Sequence, residues 1–235
     1  MADYTLAVLR KLLNWHAVRD DEFISPVVRG MGRQNAKEHE RSRTLNDSEL
    51  RAVWSTAEQR DDAFAAFVRF LLATAARRNE ASQLTWGEID GSDWLLPASR
   101  NKVKFDLVRP LSALAQTILA ERPRLDGCGF VFTNDGRHPL GGFASRKKQF
   151  DAACGVTGWT LHDLRRTARS LMSRAGVLPD HAERCLGHVV GGVRAVYDRY
   201  AFHQEKAAAF AALAAQIEQI VNPPQGDVLR ATRRG

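Results

Sequence analysis

The 235-residue chain has three cysteines, Cys128, Cys154 and Cys185, an odd number set far apart with no CxxC pair. That usage supports neither a disulfide framework nor a zinc site, and points to a reducing cytoplasm. No run of eighteen apolar residues occurs, and the opening Met-Ala-Asp-Tyr lacks a basic segment followed by an apolar one. The sequence therefore offers neither a membrane-spanning helix nor a secretory leader, and the expectation is a soluble, cytoplasmic protein. There is also no phosphate-cradling glycine loop, no carboxylate cluster at metal-ligand spacing and no internal repeat.

What is present is basic charge and enough apolar sequence for a core. The formal net charge is +7, with 44% hydrophobic residues. A surface field of that sign attracts polyanions, nucleic acid first among them. Charge alone does not decide this, because most charge excess is simply solvated.

Residues 4–19 carry Leu6, Leu9, Leu12, Leu13 and Trp15 or Val18 near helical spacing, which predicts one amphipathic helix. The polar, basic, glycine-punctuated stretch 28–43 reads as a linker. Asn46 with Glu49 three residues on forms a capping-box pattern at the start of a helix running through Trp54. Further helices are expected at 61–75 and 78–85. Trp94-Leu95-Leu96 and Phe105–Leu111 flank a charged turn and predict an antiparallel hairpin, with one more strand at Gly129–Phe132. Helical periodicity then covers 112–122, 141–154, 160–175, 179–186, 192–200 and 204–221. The fold class expected is α+β, mainly helical, with one small antiparallel sheet.

Four short segments carry chemistry-bearing side chains. In Thr74-Ala75-Ala76-Arg77-Arg78-Asn79-Glu80, Glu80 stands three residues from Arg77, close enough to orient or neutralise its guanidinium. In Trp159-Thr160-Leu161-His162-Asp163-Leu164-Arg165-Arg166-Thr167, Thr160 or Asp163 can cap a helix. There His162 and Arg165 share one face while Leu161, Leu164 and Ala168 form the buried side. Cys185-Leu186-Gly187-His188 ends a helix at glycine and sets a second histidine at the turn. Tyr197 follows nine residues later, with Tyr200 beyond it. Any of these alone reads most simply as a salt bridge, a capping histidine or a core aromatic.

Their order is what distinguishes them. An arginine with a glutamate three later, a hairpin lysine, HxxR, LGH and a tyrosine nine past that histidine resemble the tyrosine recombinase, or phage integrase, family over about residues 44–222. TAARRNE is a looser form of the family's T-G-x-R-x-x-E, with Ala75 where glycine is common. The resemblance implies catalytic roles for Arg77, Lys102, His162, Arg165, His188 and Tyr197, with Glu80 in support. Arg109-Pro110-Leu111-Ser112 matches the family's Val-Pro-Leu-Ser ending and sets Lys102 in the catalytic place. The turn Val103-Lys104 lacks the usual glycine, which implies a looser hairpin and leaves Lys104 as an alternative.

By the same resemblance, residues 1–27 are the C-terminal remnant of a core-DNA-binding domain, 28–43 a linker, 44–222 the catalytic domain and 223–235 a flexible tail. The chain is then a piece of a longer protein. The implied activity is site-specific recombination of double-stranded DNA through a 3′-phosphotyrosyl link, in the bacterial cytoplasm on the nucleoid, without cofactor or metal. Arg77 and Arg165 would bind the non-bridging oxygens with His188 as a third contact; His162 would take the tyrosine proton and Lys102 protonate the leaving 5′-oxygen. Arg146, Lys147 and Lys148 would clamp the DNA backbone or remain a solvated run. The segment 204–221 would fold back on its own domain or dock on a neighbour in a tetramer on paired sites, the free chain being a monomer. Competing readings are a type IB topoisomerase-like enzyme and a catalytically silent DNA-binding module.

Overall fold

The structure, a computed structural model, describes residues 2–28, 30–32, 41–101, 104–188 and 202–223. Lys102, Tyr197 and Tyr200 lie outside these residues, as do the helix expected at 192–200 and most of the tail. The chain divides into two units, Met1–Ser42 and Arg43–Gly235. In the first, helix α1 covers Ala2–Ala17, with Arg10 donating to the Val28 carbonyl at 3.2 Å.

The second unit begins with α2 (Asp47–Glu58), started by the expected reciprocal cap. Asn46 Oδ1 accepts from Glu49 N at 2.9 Å, and Glu49 Oε2 accepts from Asn46 N at 2.9 Å. Next, α3 (Ala63–Thr74) is apolar around nearly its whole circumference, so it lies buried on all sides. Its Phe64, Phe67 and Phe70 meet Phe150, Phe132 and Trp94, with ring centroids 5.3–5.7 Å apart. Each such buried ring contributes about 1.5–3 kcal/mol of apolar transfer, making α3 the axle of the core.

Two short segments follow, α4 (Arg78–Ser82) and the sheet. Strands β1 (Ile89–Asp90), β2 (Asp93–Leu96) and β3 (Leu107–Pro110) pair antiparallel in the order β1-β2-β3. The hairpin expected from 94 to 111 is β2–β3, with Trp94 opposite Arg109; the two-residue β1 was too short to carry a periodic signal. Gly129–Phe132 does not form the expected strand. It makes one isolated bridge, Thr85 with Phe130, secured by Trp86 N to Gly129 O and Val131 N to Leu84 O, each 2.9 Å. Val131 and Phe132 instead insert into the core as apolar plugs.

Among the described residues, the remaining helices are α5 (Ala113–Ala120), α6 (Phe143–Cys154), α7 (Leu161–Arg174), α8 (Pro179–Cys185) and α9 (His203–Val221). Helix α9 packs on its own domain: Phe210, Leu213, Ile217 and Ile220 are buried, and Lys206 Nζ donates to the Val108 carbonyl of β3 at 2.8 Å. Among the described residues no helix is long and apolar enough to cross a membrane, and no group of His, Cys, Asp or Glu is arranged to hold a metal.

Candidate active site

Helix α3 ends at Ala75, which adopts the left-handed conformation with φ 50°. This is where the resemblance leads one to expect glycine, and the conformation gives the reason, since an L side chain there costs about 1–2 kcal/mol. The turn exposes the Ala75 carbonyl, which accepts from Arg165 Nη1 at 2.6 Å. Two residues on, Arg77 caps the start of α4. Its Nη1 donates to Glu80 Oε1 at 2.7 Å, while its backbone N–H donates to Glu80 Oε2 at 3.1 Å.

Behind Glu80 stands Arg109 of β3, 1% exposed, its Nη2 3.4 Å from Glu80 Oε2 and its guanidinium 4.7 Å from the Trp94 ring centroid. Burial works against a charged Glu80, yet Arg109 and Arg77 together hold its carboxyl below the usual range. Glu80 thus acts as an anionic wedge between two guanidiniums, and leaves Arg77 one face with which to meet an anion. Sequence reasoning had not assigned Arg109 a role; its place where the family has valine was the available signal.

Helix α7 starts at Thr160, whose N–H and Oγ both donate to Asp163 Oδ2, at 2.8 and 3.0 Å. Asp163 is fully buried and also pairs with Arg166 at 2.6 Å, so both candidate capping residues act in one motif. The cap fixes the first turn, with Leu161, Leu164 and Ala168 on its buried side. Arg165 is buried and reaches three acceptors: the Ala75 carbonyl, the Leu186 carbonyl at 2.7 Å, and His188 Nε2 at 3.1 Å, the last two from Nη2. Burial, then the nearby Arg77 and Arg109, pull its pKa down to about 9, so it remains protonated at neutral pH.

His162, one turn before, lines a cavity of about 560 Å³ with Arg77, Arg78, Lys147 and Trp159. Partial desolvation, then the charges of Arg166 and Arg165, push its imidazole below the ordinary value. The ring is thereby biased toward the neutral, proton-accepting form.

Helix α8 closes with a Schellman turn. Gly187 N donates to Arg184 O at 2.9 Å and His188 N to Glu183 O at 3.0 Å. Gly187 has φ 65°, and a Cβ there would lie 2.7 Å from Leu107 Cδ2, so both conformation and space call for glycine. The turn delivers His188 to Arg165.

The described residues at the base of the lysine-bearing loop are tied together by side-chain bonds. Asn101 is buried, its Nδ2 donating to Phe105 O at 2.7 Å and Pro97 O at 3.2 Å, and its Oδ1 accepting from Lys104 N at 2.8 Å. Lys104 has φ 62°, which supplies the reversal that glycine would otherwise provide. Of the three basic residues on α6, Lys147 bonds Asp151 at 2.6 Å and lies 3.6 Å from the Trp159 centroid, Arg146 donates to Gly141 O, and Lys148 is exposed.

Arg77, His162, Arg165 and His188 therefore belong to one neighbourhood, built from the end of α3, the start of α7 and the turn after α8. Two guanidiniums and two imidazoles are thus gathered on a mainly helical α+β scaffold, an arrangement able to meet a multi-oxygen anion. Residues 43–204 match the phage integrase family, and the chain belongs to that family.

The chain is 32% identical over 145 residues to the prophage integrase IntA of Escherichia coli (strain K12); the match covers 57% of this chain and 34% of that relative. The chain thus spans about a third of that relative's length. Its fold is similar to a lambda integrase (75–356) dimer bound to a COC′ core site, with TM-score 0.64, 16% identity, and 80% and 71% of the two chains covered. The lambda integrase catalytic core aligns with TM-score 0.52 at 19% identity, over 62% of this chain and 94% of that one. The integrase from mycobacterium phage Brujita aligns with TM-score 0.57 at 17% identity, over 93% and 76%. At these identities the likeness is one of fold.

Proposed function

We propose that this chain catalyses site-specific recombination of double-stranded DNA, cutting and rejoining strands through a 3′-phosphotyrosyl link at Tyr197. The observation that carries the reading is the convergence of Arg165 Nη2 on His188 Nε2 at 3.1 Å, beside an Arg77 that Glu80 orients. A phosphodiester is a poor electrophile whose non-bridging oxygens gain charge during attack, and fixed guanidinium donors meet that charge best. Membership of the phage integrase family supports the same assignment.

In this reading Arg77 and Arg165 bind the non-bridging oxygens and His188 adds a third contact. His162 accepts the Tyr197 proton as the phenol oxygen attacks phosphorus. Lys102, at the loop held by Asn101, protonates the leaving 5′-oxygen. The phosphate bond energy stays in the covalent intermediate, and the 5′-hydroxyl of a partner duplex later displaces the tyrosine.

Assembly follows the same reasoning. A lambda integrase tetramer bound to a Holliday junction has the same fold, and a homotetramer on two paired sites fits a reaction in which strands exchange between duplexes. The cytoplasm, on the nucleoid, is the compartment this substrate implies. Residues 1–27 belong, in this reading, to a further DNA-binding domain, 28–43 to a linker and 223–235 to a tail.

The test is covalent trapping on a nicked suicide duplex. Wild-type chain should form a protein–DNA adduct, and Tyr197→Phe should abolish it while leaving DNA binding near normal. An adduct lost with Tyr200→Phe and kept with Tyr197→Phe would move the nucleophile.

A further inference from the structure

Glu183 has no place in the site as read from the sequence, yet it touches His188 twice. Its carbonyl accepts the His188 N–H at 3.0 Å, through the Schellman turn. Its carboxylate Oε2 lies 2.5 Å from His188 Nδ1. The other oxygen, Oε1, accepts from Arg169 Nε at 2.8 Å. Arg169 is one turn past Arg165 on α7, so a single helix face supplies both guanidiniums: Arg165 on the far nitrogen of the imidazole, Arg169 on the far oxygen of the carboxylate. Bonds from Arg169 and His188 outweigh the burial that opposes charge on Glu183 and hold its carboxyl below the usual range.

An ionised carboxylate only accepts hydrogen bonds, so the nitrogen it meets must carry the proton. The proton of the neutral ring is therefore on Nδ1. Nε2 is left toward Arg165, with a lone pair when the ring is neutral and with a second proton to give when it is cationic. Without the carboxylate, Nδ1 loses its acceptor and only the Arg165 bond restrains the ring, so the tautomer is less firmly set and Nε2 loses its fixed aim.

We propose that Glu183 is a positioning residue of the active site, which holds the Nδ1–H of His188 and so aims Nε2 at the phosphate held by Arg165, to which the ring donates as the imidazolium. The inference rests on the reading of His188 given under Proposed function. Glu183 does not touch the reacting atoms; it acts through His188, and Arg169 orients it in turn.

The experiment is a double-mutant cycle in single-turnover cleavage of a nicked suicide duplex, with nitrogen-15 NMR of the histidine rings as a second readout independent of activity. Glu183→Ala should slow cleavage about 10- to 100-fold, the scale of losing one charge-assisted hydrogen bond. In a His188→Ala background the same change should cost nothing further, because the group it acts through is gone. Glu183→Gln, which keeps the shape and guards against misfolding, should also slow cleavage, since Arg169 and the Nδ1 proton then compete for one acceptor oxygen. In the spectra, wild-type His188 should be Nδ1-protonated and both Glu183 variants should show a mixture of tautomers. Equal losses from Glu183→Ala in both backgrounds, or an unchanged tautomer, would overturn the inference in favour of a purely structural role. Should His188→Ala cleave as fast as wild type, the reading of the site itself would fall, and a wild-type Nδ1 tautomer would identify that as the cause.

Discussion

Arg165 Nη1 donates to the Ala75 carbonyl at 2.6 Å, joining the start of α7 to the end of α3 across 90 positions of sequence. The same guanidinium also holds the Leu186 carbonyl after α8. One side chain therefore sets the spacing of the three segments that supply the site. An ammonium cannot serve these acceptors from one plane, so Arg165→Lys is not conservative here. We expect it to cost about 1–3 kcal/mol of stability, from a buried carbonyl left unpaired, together with most of the cleavage activity. Chemical denaturation and adduct formation measure the two effects separately.

Ala75 presents a balance of opposing terms. Relief of its left-handed strain by glycine is worth about 1–2 kcal/mol. Greater unfolded-state freedom removes about 0.4–1 kcal/mol, and loss of a buried methyl about 0.8 kcal/mol. Ala75→Gly should therefore change stability by less than about 1 kcal/mol. Ala75→Val puts a β-branched residue at φ 50° in a fully buried position and should destabilise markedly in the same denaturation assay.

His162 is pushed below the ordinary histidine value, first by desolvation and then by Arg166 and Arg165. A general base must be unprotonated, so a lowered pKa keeps it competent to lower pH. The acid limb of the cleavage rate should fall below about pH 6.5, the ordinary histidine value. Arg166→Ala removes one depressing charge and should move that limb upward. A limb that stays in place would assign the proton transfer to another group.

Glu80 has a depressed pKa in the fold. Its contribution to stability is fully present above the unfolded carboxylate value and is lost as pH falls through the folded one. Acid titration of unfolding should thus show wild type losing part of its stability below about pH 4.3. Glu80→Gln should lose that portion of the dependence and be less stable at pH 7, because Arg109 is then buried without its anion.

Lys102 and Lys104 are separated by a chemical rescue. A duplex with sulfur at the 5′-bridging position has a leaving group that needs no proton. It should restore cleavage to Lys102→Ala and leave Arg165→Ala impaired. Rescue confined to Lys104→Ala would shift the general acid by two residues.

Elements with strong local signals were legible from the amino-acid order alone. Asn46 and Glu49 form the cap their spacing predicts, and α7 begins at the Thr160–Asp163 box with its apolar stripe inward. Both depend only on neighbours within one helical turn, which sequence displays directly. The grouping of Arg77, His162, Arg165 and His188 was legible as an ordered set of motifs, because each segment begins or ends a helix and carries its own turn chemistry. Tertiary structure alone decided what lies behind that set. Arg109 sits against Glu80 because β3 pairs with β2 and brings it over Trp94. Glu183 meets His188 because the turn at Gly187 folds the chain back by one residue pair, and Arg169 meets Glu183 because α7 packs beside α8. The expected strand at Gly129–Phe132 is reduced to one bridge for the same reason: Val131 and Phe132 satisfy the core with their side chains, and a short apolar run does not disclose which of its two hydrogen-bonding edges finds a partner.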